Sequence, residues 1–70
     1  MLTMIDKIFK EKSVAEFGDI FSDAEIEEAR VIAFKSIGDF IEKTRVKPYD
    51  GAIDDFFLLY LKYLKEDKGI

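Results

Sequence analysis

Between Asp23 and Thr44, apolar side chains recur at steps of three and four: Ile26, Ala29, Ala33, Ile37 and Phe40. That spacing is one face of a long amphipathic α-helix, and Phe34 and Ile41 widen it on one side. The chain has only 70 residues, and a chain this short buries about 60% of the surface its unfolded form exposes. One core is the limit, so residues 1–70 are read as a single helical domain.

The long helix carries its own start signal. Ser22 followed by Glu25 fits a capping box, in which the Ser oxygen and the Glu carboxylate satisfy each other's orphan amides. Phe21 just before the cap and Ile26 just after it have the spacing of a hydrophobic staple. Ser13 followed by Glu16 fits the same box and predicts another start, with Val14 to Ile20 a short helix or turn broken near Gly18. The first helix is expected over Leu2 to Lys12, with Leu2, Ile5, Ile8 and Phe9 on its apolar side.

"TRVKPYDG" ends the long helix, because Pro48 pushes Lys47 out of helical geometry and the residues after it favour turns. Asp50 is the expected cap of a last helix over about Ala52 to Lys68, with Asp54 and Asp55 near its positive end. Ile53, Phe56, Phe57, Tyr60 and Leu64 share one face of it, with Leu61 and Tyr63 at the margins. Gly69 is placed for a left-handed C-terminal position, and Ile70 is expected to close over Leu64. The fold class is therefore all-α: a small bundle of three to four helices, the long helix and the C-terminal helix antiparallel, the first helix laid across them.

Composition narrows the chemistry. The chain has no Cys and no His, which removes disulfides, thiolate metal sites and the commonest general base. Asp54 and Asp55 are adjacent, as are Glu27 and Glu28, so each pair splays by about 100° around its helix and shares a ligand poorly. No calcium loop, phosphate loop or nucleophile elbow is present. The reading is of a protein that is not an enzyme and takes no cofactor and no metal. "MLTMIDKIFKEK" lacks the form of a signal peptide, and no apolar stretch reaches the roughly 18 residues of a membrane span. The cytoplasm is the expected location, without membrane contact.

Charge is segregated along the chain. Residues 13 to 29 hold Glu16, Asp19, Asp23, Glu25, Glu27 and Glu28 and no Lys or Arg, in a chain of net charge −4. A one-sided run of this kind speeds encounter with a basic partner, including the nucleic-acid-binding surface of another protein, whose ligand it would mimic in charge. Four of the six acids are also where helix N-termini favour acids. The basic residues Lys35, Lys43, Arg45 and Lys47 form the one cluster available for phosphates, and the net charge opposes direct nucleic-acid binding.

Two further features stand out. Residues 56 to 61 read "FFLLYL", so the last helix is apolar over most of its circumference and must be covered on more than one side. Either it is the central helix, or Leu58, Leu59 and Tyr63 form a patch for self-association. Arg30 falls on the apolar side of the long helix and needs a carboxylate, from Glu27 or from another helix.

The segment "AFKSIGDFIEKTRVKPYDGAIDDFFLLYLKYL", residues 33 to 64, resembles the small helical head-to-tail connector proteins of tailed phages. Phe40, Ile41, Thr44 and Arg45 stand where that family has an aromatic, an Ile and a Thr-Gly-Arg ending, and the Gly is missing here. The resemblance implies a self-associating structural protein. In length, acidity and lack of catalytic residues the chain is also similar in type to small inhibitory proteins of phages and plasmids. The leading expectation is an acidic, non-enzymatic module that binds another protein through the six acids. Homodimerisation through Leu58, Leu59 and Tyr63 is the alternative.

Overall fold

The computed structural model describes residues 3 to 69, and among them there are three helices and no strand. Helix α1 spans Met4–Phe17, α2 spans Asp23–Thr44 and α3 spans Ala52–Lys68. All three pack on one another, with the broadest interface between α2 and α3.

Helix α2 begins as its sequence requires. The Ser22 N–H donates to Glu25 Oε1 at 2.9 Å, and the Glu25 N–H donates to Ser22 Oγ at 3.2 Å. Phe21 and Ile26 are both buried, so the staple closes beneath the cap. Ile26, Ala29, Ala33 and Ile37 make the buried stripe, whereas Phe40 at the end of the same face is exposed. Ala29 and Ala33 are the small residues of that stripe and share one cluster with the fully buried Phe57 and Leu61 of α3. Small side chains on one helix leave the volume that large ones on the other fill. Phe9 brings α1 into the same cluster, edge-to-face against Phe57 with ring centroids 4.8 Å apart.

The expected break at Ser13 does not occur. Helix α1 continues to Phe17 and stops at Gly18, whose φ is 82°. The extra turn places Phe17 against the core and edge-to-face with Phe21 at 5.9 Å, in the same helix as Phe9. Ser13 is instead 1% exposed inside the helix, and its hydroxyl has no hydrogen-bond partner. The start of α1 also differs. Thr3 is the N-cap, accepting the Asp6 N–H at 3.1 Å. The inward stripe is Asp6, Phe9 and Ser13, and Ile5 and Ile8 are about half exposed.

At the other end of α2, Thr44 Oγ donates to the Phe40 carbonyl at 2.8 Å and accepts the Val46 N–H at 3.2 Å. Arg45 then takes a left-handed φ of 57°, a conformation that disfavours any residue with a Cβ. Helix α3 is not capped by Asp50. Gly51, with φ 84°, occupies the N-cap without a side-chain bond, and Asp50 sits one residue too early in the turn. Along α3, Leu61 is fully buried and not marginal, while Phe56 is partly exposed. Gly69 closes α3 in the left-handed conformation. Leu2 and Ile70, both expected to pack, lie outside the described residues.

Ser13→Ala separates the two readings of α1 by sign. A cap residue lost there would destabilise the protein by about 1 kcal/mol. A buried, unpartnered hydroxyl removed from a helix interior should stabilise it by a similar amount, because the unmet hydrogen bond goes and Ala is the better helix former. A higher melting temperature for the variant is expected; a lower one would restore the helix break.

Candidate interaction surface

Among the described residues, the one charged group carried inside the bundle is Asp6, 2% exposed. It accepts hydrogen bonds from Arg30 Nε and, at 2.9 Å, from Thr3 Oγ. Arg30 therefore pairs across to α1 and not with Glu27. Its guanidinium also lies 5.4 Å from the Phe34 ring centroid, a cation–π contact on the same side of α2. The hydrogen bond from Arg30 holds the Asp6 carboxyl below the ordinary carboxylate value, against burial, which pushes the other way. Thr3-x-x-Asp6 is a cap pattern readable in the sequence and marks the start of α1, whereas no local pattern marks the pairing with Arg30.

The six acids of residues 13 to 29 divide into bonded and unpaired groups. Asp23 pairs with Lys10 of α1 at 2.8 Å. Glu25 pairs with Lys68 of α3 at 2.8 Å while completing the α2 cap, and those bonds, that of Lys68 foremost, lower its pKa. Glu28 accepts a long hydrogen bond of 3.4 Å from the Tyr60 hydroxyl. Burial first, and Glu28 after it, raises the Tyr60 pKa. Glu16, Asp19 and Glu27 are exposed and have no ion-pair partner among the described residues. Glu27 leaves α2 about 200° around from Glu25, so the free acids and the paired ones face different ways.

Leu58, Leu59 and Tyr63 are also separated. Leu58 is half-buried and packs on the core cluster, beside Phe17 and Glu16 at a shallow valley toward α1. Leu59 is 62% exposed and Tyr63 65% exposed. These two line the rim of a groove of about 240 Å³ along the α2–α3 seam, together with Phe56 and Ile32, over a floor that includes Ala33 and Ser36. Phe56 and Ile32 were not expected at such a surface. Their steps of three and four to Leu59 and Ser36 were readable, but periodicity alone does not say which apolar residues stay uncovered.

A second depression, about 320 Å³, lies between Ile37, Phe40, Pro48 and Phe56. Its walls are apolar, and Lys47 is its one charged lining residue. Among the described residues no three acids come close enough to hold a metal ion, and no helix is long and apolar enough to cross a membrane. Apolar side chains are exposed along the seam and also on α1 and at and just beyond the end of α2, among them Ile5, Ile8, Phe40 and Val46.

No protein-family model, no curated protein and no solved structure matches the chain. The connector resemblance of residues 33 to 64 gains no support from those comparisons.

The Asp6–Arg30 pair makes a signed prediction. Because the Asp6 pKa is depressed when folded, its contribution to stability is complete above about pH 5 and is lost as pH falls through its ordinary value toward the folded one. In Arg30→Met the lowering by the guanidinium is lost, while burial, which raises the Asp6 pKa, and the Thr3 hydrogen bonds, which lower it, remain, so the pH dependence contributed by this group is reduced. Melting curves should show the variant much less stable than wild type near pH 6, with the gap narrowing toward about pH 3. A gap independent of pH would mean that Asp6 does not titrate with folding.

Proposed function

We propose that this protein is a non-enzymatic protein-binding module in which α2 and α3 run antiparallel and present the seam between them to a partner. The observation that carries this reading is the exposure of Leu59 and Tyr63, at 62% and 65%, beside a groove with Phe56 at its rim. A soluble chain gains nothing in stability from large apolar side chains held in water, and contiguous patches of this kind mark contact surfaces. Aromatic residues are also the ones enriched where partners dock, since they bury large area with few rotatable bonds.

The pairing of Lys68 with Glu25 and of Tyr60 with Glu28 supports the antiparallel arrangement, because the end of α3 then lies by the start of α2. The cytoplasm remains the proposed setting.

A second reading keeps the acidic surface as the working one. It is favoured by the three acids left unpaired, Glu16, Asp19 and Glu27, in a chain of net charge −4. On this reading the module covers a basic, nucleic-acid-binding surface of its partner, as an inhibitor would, and its binding weakens as salt is added.

A photo-crosslinking residue placed at Tyr63 or at Glu27, activated in the native cells, discriminates between the two. Adducts from position 63 alone support the seam, and adducts from position 27 alone support the acids. If neither position captures any protein, binding through these surfaces is wrong.

A further inference from the structure

The residues on the outer face of α3 have a symmetry of their own. Around Leu59, the chain places Asp55 and Phe56 at four and three residues before it, and Lys62 and Tyr63 at three and four residues after it. By helical angle, Asp55 and Lys62 lie within about 20° of each other on one side of Leu59, and Phe56 and Tyr63 within about 20° on the other.

A two-fold axis through Leu59, perpendicular to the helix, reverses the helix direction and keeps each side on its own side. Asp55 of one copy would then meet Lys62 of the other, displaced by one residue, about 1.5 Å along the helix. By the same operation Phe56 meets Tyr63, and Leu59 meets its own counterpart. The arrangement is self-complementary in charge and in shape, which is the condition for an isologous interface.

We propose that two copies of this chain associate through the outer faces of α3, antiparallel about a two-fold axis at Leu59. The proposal rests on the seam being the binding surface, and it names a second copy as the occupant. The groups needed are free to act. Lys62 has no ion-pair partner among the described residues. Asp55 accepts the Tyr49 hydroxyl on one carboxylate oxygen, at 2.7 Å, which leaves the other for a Lys. The groove beside Phe56 and Tyr63 has Ala33 and Ser36 in its floor, small residues that let a second helix approach closely.

Few apolar side chains per copy make this a small interface, so the dissociation constant is expected to be roughly micromolar. A heterologous partner on the same face is the competing occupant, and it has no reason to require the matched spacing about Leu59.

Sedimentation velocity of the purified full chain, from about 1 to 200 μM, tests this directly. A concentration-dependent dimer is expected. Leu59→Asp should give a monomer throughout that range with an unchanged helical circular dichroism spectrum, since Leu59 is already exposed. Lys62→Asp should raise the dissociation constant roughly tenfold, because the two-fold axis repeats the repulsion at both pairs. Combining Asp55→Lys with Lys62→Asp re-forms both pairs in reversed order and should recover the dimer.

A wild-type chain that stays monomeric overturns the proposal, as does a dimer insensitive to Leu59→Asp, or a double variant no better than Lys62→Asp alone. The binding reading stands or falls separately. Cross-linked adducts at position 63 of a mass other than twice 8.1 kDa would keep the seam and exclude the second copy.

Discussion

The burial of Asp6 determines how α1 sits, and much of the surface follows from it. A carboxylate cannot be left unpaired in an apolar interior, so α1 must turn to put Asp6 within reach of Arg30. Once it does, the inward stripe is Asp6, Phe9 and Ser13. Ile5 and Ile8, which a count of apolar positions puts in the core, are carried toward solvent. Phe9 remains common to both arrangements and joins Phe57 at the centre of the bundle. The polar pair thus specifies a rotation that hydrophobicity alone does not, because the apolar choice would have buried Ile5 and Ile8 instead.

Helix α2 supplies the other fixed reference. Its start is over-determined: Ser22 and Glu25 exchange hydrogen bonds, Phe21 and Ile26 are buried together, and Lys68 of α3 pairs with the same Glu25. One residue therefore serves a local cap and a contact between helices. Each pair of helices has at least one such tie, with Lys10 to Asp23 joining α1 to α2 and Lys12 to Asp54 joining α1 to α3. Exposed pairs of this kind add little to stability. Their number matters more for charge, since they withdraw acids from any surface a basic partner would meet.

The sequence was most readable where local signals and burial agreed. Asp23 to Thr44 was read with its observed limits because cap, periodicity and the Pro48 turn point to the same residues, and α3 was read over about Ala52 to Lys68 from its periodicity and Gly69. It misled where two patterns competed. Ser13 with Glu16 has the form of a cap, but the burial of Phe17 three residues after Val14 favours continuing the helix to Gly18. Asp50 has the chemistry of a cap, but the positive φ available to Gly51 moves the helix start by one residue. For the site, the sequence left open whether α3 is covered all round or exposes Leu58, Leu59 and Tyr63, since the direction in which α1 covers α3 depends on long-range packing that no local pattern records.

These placements bear on what kind of surface a small acidic protein can offer. Sign and number of charges say little about a face until pairing is known. Of six acids in one run, Asp23 and Glu25 are in ion pairs within the fold, and Glu28 is held by a tyrosine. The remainder, Glu16, Asp19 and Glu27, are exposed and lie on α1, in the turn after it and on α2. The apolar residues of α3 behave in the opposite way. Phe57 and Leu61 saturate the core, and a bundle of three helices has no fourth to cover the outer side of α3, so Leu59 and Tyr63 stay in water. The pattern "FFLLYL" calls for cover on more than one side of α3, and the three described helices leave its outer side without it. The matched spacing of Asp55, Phe56, Lys62 and Tyr63 about Leu59 is the reason α3 of a second copy is the cover proposed for that side.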